Sequence, residues 1–300
     1  MNTRRWSFLL SAVLLLTGCS QSSSPGSGDE VPIAMRLSIG INTSTNNARQ
    51  TRADVDIQSA QFDAGETVGV YFPANVSVTN TTYTTTNSSG ATTCTLATPY
   101  LLPDATVASA HGYYPVSVTQ TTTSFTVQQN QNEDAAYKAS DLMYAYIPFL
   151  KKDNGTVTGH LVFQHQMSKI RMRVTADKGI DTIKVIRIIG GNRTVAVSMP
   201  RCKLGTTSHP NTDTDFITVY TNGHTKKVEC AFILPPQVLQ GNFIQIDTNL
   251  GTATFKVTAT TLESGGSYDL PINIATSCID AVTLITGWDD SEGESGSFEL

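Results

Sequence analysis

Cys19 closes the tetrapeptide Leu16-Thr17-Gly18-Cys19, directly after the apolar run 8–16 and the pair Arg4-Arg5. A basic start, a short apolar core and small residues before a cysteine spell a bacterial lipoprotein signal, cut before Cys19. The Cys19 thiol would then carry a lipid (palmitate among its acyl groups) and become the first residue of an exported, tethered chain. The apolar run is too short to cross a bilayer, which takes about 20 residues. A second reactive spot is the small, polar segment Ala48-Arg49-Gln50-Thr51-Arg52-Ala53. Its arginines suit a protease of trypsin-like specificity.

The usual catalytic constellations are missing. His160 and His165 lack the HExxH arrangement, and no carboxylate cluster adjoins them in sequence. The other histidines, His111, His209 and His224, stand apart. No serine occupies a Gly-x-Ser-x-Gly elbow, and Ser168 lies within an apolar strand segment. Gly190-Gly191 reads as a turn between strands rather than a phosphate cradle. His165 sits between Phe163 and Met167 on an inward face, which makes it a hydrogen-bonded core histidine. Cys94, Cys202, Cys230 and Cys278 allow three pairings, and none shows Cys-x-x-Cys spacing. They read as buried or incidental thiols, with a disulfide the alternative in an oxidising compartment. No enzyme, no metal and no cofactor is implied.

Composition narrows the class further. The chain has 300 residues, a formal net charge of −5 and only 15% charged residues. It shows no basic stripe, so nucleic acid is not a partner. Threonine, which suits pleated half-buried surfaces, is abundant, and no long helical period appears. An all-β exported protein follows, long enough for tandem β-sandwich domains.

Beyond the signal (1–18) and a flexible Ser/Gly/Pro spacer (19–30), the clearest element is the stretch 31–41. Val31, Ile33, Met35, Leu37, Ile39 and Ile41 occupy alternate positions, the pattern of a half-buried strand. Short strands are predicted at 66–72, 109–115, 124–127, 183–189, 194–197, 216–220, 228–234, 243–247, 254–259 and 268–274. A long hairpin or loop is predicted at 75–93, and a short helix or turn at 133–140. Pro235-Pro236 must end the strand before it. The apolar parity slips between the set Leu161, Phe163, Met167 and the set Ile170, Met172, Val174, which calls for a bulge or break near Ser168-Lys169. The segment 151–155 is the natural boundary between an amino-terminal domain (31–150) and a carboxy-terminal one (155–300).

An ordered set of short pieces resembles the fimbrillin-type lipoproteins of Bacteroidales, the major and minor fimbrial subunits of type V pili. After the Cys19 signal come Phe62-Asp63-Ala64-Gly65-Glu66-Thr67-Val68-Gly69-Val70-Tyr71, Gly112-Tyr113-Tyr114-Pro115 and Ser140-Asp141-Leu142-Met143. LVFQHQMSKI (161–170), Leu234-Pro235-Pro236-Gln237 and Gly287-Trp288 complete the set. The resemblance implies two tandem transthyretin-like β-sandwich domains and an outer-membrane, surface-exposed precursor. It also implies an arginine-specific protease that removes the first strand, so that a strand from another fimbrial subunit fills the groove. Here the removable strand maps to 31–41 and the cut to Arg52 or Arg49, Arg52 leaving Ala53-Asp54 as the new end. The acidic, unpatterned stretch 289–300 does not resemble a donor strand, which fits a tip-like or minor subunit.

Magnitudes support the implication. Six buried aliphatic side chains contribute on the order of 10–15 kcal/mol gross, against a whole-domain stability of about 5–15 kcal/mol. Losing such a strand leaves an apolar groove with unpaired backbone groups. Two other readings stay open from the residues: an uncut membrane anchor, and a surface glycan-binding lipoprotein. The second would use Tyr113, Tyr114, Tyr144, Tyr146 and Trp288 as stacking rings and serve nutrient capture; under the fimbrial reading a host or bacterial surface ligand is a further partner.

Overall fold

Valine, isoleucine and threonine alternate with polar residues along most of the chain, and strands result. The computed structural model describes residues 33–41, 62, 64–73, 80–88, 91–96, 101–102, 109–148, 151–153, 156–221, 223–285 and 289–290. Cys19, the spacer 19–30, Val31, Arg49, Arg52 and Trp288 lie outside them. All elements below belong to the unit Pro32–Leu300.

The chain is all-β, as expected. Its first strands are β1 (Ile33–Ile41), β2 (Thr67–Tyr71), β3 (Thr81–Ser88), β4 (Ala91–Leu96), β5 (Leu101–Leu102), β6 (Ala110–Tyr114) and β7 (Ser124–Thr126). The helix α1 (Asp134–Ala139) precedes β8 (Met143–Ile147), β9 (Lys151–Asp153), β10 (Thr156–His165) and β11 (Ser168–Ala176). Then follow β12 (Ile183–Ile188), β13 (Asn192–Ser198), β14 (Lys203–Pro210), β15 (Ile217–Tyr220) and β16 (Lys227–Leu234). The last are β17 (Gln237–Thr248), β18 (Thr252–Leu262), β19 (Ser267–Ile274), β20 (Val282–Ile285) and β21 (Asp289–Asp290).

Among the described residues the strands make four sheets. A nine-stranded sheet runs β5-β1-β4-β3-β2-β6-β8-β10-β9, and a five-stranded one β15-β12-β17-β18-β20. The others are β16-β11-β19-β21 and β14-β13-β7. The parity slip has its explanation here. β10 ends at His165 within the nine-stranded sheet, and β11 starts at Ser168 in a different sheet, between β16 and β19. A strand that changes sheets need not keep its apolar face. β16 stops at Leu234, where Pro235 and Pro236 cannot donate to a ladder.

Buried apolar residues form two clusters. One gathers Ile39, Phe62, Val68, Val70, Phe72, Tyr83, Ala110, Tyr114, Met143, Ala145, Leu161 and Phe163 around the nine-stranded sheet. The other is built chiefly from residues 167–285, joined by Tyr113, Val118, Phe125, Val127, Tyr137 and Leu142. Chain order and packing therefore interleave. The segment 151–155 carries β9, which pairs with β10 from Thr156↔Asp153 to Thr158↔Lys151. Gly112 shows why its position on β6 is bare: a Cβ there would stand 2.7 Å from the Phe163 ring.

Candidate functional site

The structure sets β1 between two edges. On one side it runs parallel to β10, with eight pairs from Ala34↔Thr156 to Ile41↔Phe163. On the other it runs antiparallel to β4 at Ser38↔Thr93 and to β5 at Ile33↔Leu102 and Ala34↔Leu101. Because β10 also pairs with β8, the strands β1, β4, β3, β2, β6, β8 and β10 form a closed circuit. Among the described residues only β1 joins β10 to β4, so β1 is the closing member. Parallel pairs need long connections, and here the whole stretch from Ile41 to Thr156 makes the crossover.

Of the alternating apolar set, Ile39 is the side chain described, and it is 3% exposed within the cluster of the nine-stranded sheet. Opposite the strand, Leu161 and Phe163 are fully buried, while Val162 between them is 41% exposed. Phe163 lies opposite Ile41 in register and meets Phe62 edge-on, centroids 5.3 Å apart. The slot is thus floored by large rings and bordered by backbone partners on both sides.

His165 and His111 are engaged in structure. His165 Nδ1 pairs with Asp141 Oδ2 at 2.8 Å, both side chains nearly buried, in keeping with a hydrogen-bonded core histidine. Sequence reasoning missed Asp141 as its partner, because 24 residues separate them. His111 Nδ1 lies 2.9 Å from the Tyr144 hydroxyl. Burial, with Arg201 adding, holds the His111 imidazole below its ordinary value and favours its neutral form. Ser168 is buried and donates to the Glu263 carbonyl at 2.8 Å. Among the described residues no group of three or more His, Cys, Asp or Glu could hold a metal ion.

Cys202, Cys230 and Cys278 are free and buried. Burial pushes the Cys202 and Cys230 thiols up to about 12, which removes the thiolate that reactivity requires. No described helix is long and apolar enough to cross a membrane.

A polar knot ties β13 to the turn before β15. Arg193, almost wholly buried, donates to Asp215, and His209 Nε2 stands 3.1 Å from the same carboxylate oxygen. The hydrogen bond from His209, with the Arg193 charge adding, holds the Asp215 carboxyl below its ordinary 3.8. A carboxyl lowered by folding stabilises above its unfolded value, and that stability is lost as pH falls through the folded value. Asp215→Asn is therefore expected to remove part of the acid-limb loss. Thermal melts from neutral pH down to about pH 2 check this; superimposable wild-type and variant curves would refute it.

The glycan reading loses two of its rings. Tyr114 packs against Phe62 with centroids 5.5 Å apart, donates to the Glu66 carboxylate at 3.3 Å and is buried. Tyr113 is fully buried, and its hydroxyl donates to the Pro200 carbonyl at 2.9 Å. Tyr144 is half-buried, and Tyr146 is exposed.

A family model of fimbrillin-like proteins matches residues 51–288. The fold is similar to that of a candidate cell-adhesion protein from Bacteroides ovatus, at 17% identity and TM-score 0.63, over 88% of this chain and 100% of that one. A candidate cell-adhesion protein from Bacteroides uniformis matches at 17% identity and TM-score 0.57, again over 88% and 100%. A fimbrial protein from Bacteroides ovatus matches at 13% identity and TM-score 0.50, over 85% of this chain and 51% of that one. No curated protein matches the chain. At these identities the structural likeness is one of fold, whereas the family match covers most of the sequence, and by that match the chain belongs to the fimbrillin-like family.

Proposed function

We propose that the chain is the lipid-tethered precursor of a fimbrial subunit, held at the outer membrane through Cys19 and assembled by exchange of β1 for another subunit's strand. The observation that carries this reading is the position of β1 as the closing member of the seven-stranded circuit within the nine-stranded sheet. Its removal would expose the β10 edge on one side and the β4 and β5 edges on the other. Exposed edges over an apolar floor invite strand addition. The family match starts at residue 51, past β1 and between Arg49 and Arg52, which supports a mature subunit that lacks the strand.

Two tandem β-sandwich bodies are the proposed arrangement, with β10 completing the first. The partners are other fimbrial subunits, an arginine-specific protease and a surface ligand. Mass spectrometry of material from the native cell surface tests the processing. A mature amino terminus at Ala53 or Gln50 is expected. A terminus at lipidated Cys19 alone would replace the exchange reading with that of an uncut anchor.

A further inference from the structure

We propose that the face of β6 and β8 turned away from the Phe163 cluster ends, at Tyr146, in a binding shelf for a carboxylate-bearing saccharide, with Tyr146 as the stacking ring and Arg201 as the partner of the carboxylate. The inference does not depend on removal of β1.

Strand alternation builds the shelf. Val70, Gly112 and Ala145 occupy one face of their strands, and Tyr71, His111 and Tyr146 the other. Tyr71 pairs with His111, and His111 with Tyr146, so three rings lie side by side across adjacent strands. Their centroids are 6.0 Å and 4.8 Å apart, at 32° and 36° between planes. Tyr144 stacks behind His111 at 6.0 Å. His111 is buried at 5% exposure and Tyr71 packs against the second cluster, so the row backs one open end, at Tyr146, which is 50% exposed. A tyrosine ring offers an apolar face and a polar tip, which suits a pyranose with its C–H face and hydroxyl rim.

The charge comes from another element. The Tyr113 hydroxyl donates to the Pro200 carbonyl and its ring lies 6.0 Å from that of Tyr144, so the turn that carries Arg201, the next residue, is held against this ring pair. Arg171, Arg173, Arg187 and Arg193 each face an aspartate. Among the described residues Arg201 has no such partner, and it is exposed. A guanidinium without a protein carboxylate can offer its planar fork to a ligand's. A site between two packed elements, with rings and one charge, is a common setting for small ligands.

Saturation-transfer NMR and calorimetry on the purified full chain test the shelf with trigalacturonic acid, 3′-sialyllactose and neutral lactose. Saturable binding of at least one acidic probe is expected, and which one distinguishes a uronate from a sialate ligand. Tyr146→Ala and Arg201→Gln are each expected to weaken it by about tenfold or more. Tyr146→Phe, which keeps the ring, is expected to retain it, and melting curves confirm that these surface variants fold. The proposal is overturned by failure of both acidic probes to bind, by equal binding of lactose, or by binding that both variants leave unchanged.

Discussion

Digestion of the full chain with an arginine-specific protease is expected to cut within 48–53, release a fragment carrying β1 and create a binding site for an extended peptide. The new amino terminus is Ala53 for a cut at Arg52 and Gln50 for a cut at Arg49. A synthetic peptide of residues 31–41 should bind the cut, emptied protein at about micromolar concentration or below and ignore the uncut one. The double variant Arg49→Ala, Arg52→Ala should resist digestion and gain nothing. The expectation rests on the closed circuit: uncut, β1 supplies partners to β10 at eight positions, and after its loss those groups face water beside an apolar floor. Cleavage without any gain in peptide binding or self-association would remove the exchange mechanism.

Phe163→Ala should be the most costly single truncation in the slot, lowering the unfolding free energy by about 3–5 kcal/mol. The ring is fully buried, edge-on to Phe62, and it fills the space left by the missing side chain of Gly112. Stability of a domain is about 5–15 kcal/mol in total, so this one change takes a large share of it. Val162→Ala, one residue away on the exposed face of β10, should stay within about 0.5 kcal/mol. Urea midpoints at unchanged slope make the comparison. Equal losses for the two variants would mean that Phe163 does not floor a packed slot.

Local patterns carried much of this fold in the sequence. Alternation in 31–41 marked β1, and short apolar runs marked β2, β6, β12, β16 and β19 close to their observed bounds. β14 was invisible because its residues are mostly exposed and show no alternation. The partnership of β1 with β10 was equally hidden. It joins stretches far apart in the chain, and periodicity within a window says nothing about which strand a strand will meet. The same limit concealed Asp141 beside His165 and the Pro200 turn against Tyr113. Trp288, singled out for stacking, lies outside the described residues, while Tyr114 turned inward because its parity on β6 is that of Gly112 and Ala110.

The parallel alignment of β1 and β10 also has a mechanical meaning. Tension that enters at residue 33 and leaves through the chain after His165 pulls the two strands along their length, in opposite senses. All eight pairs then resist sliding at once instead of yielding in succession like a zip. A sideways tug would meet them one by one. A segment seated in this slot can therefore hold firm against a lengthwise drag and still be peeled away from one end.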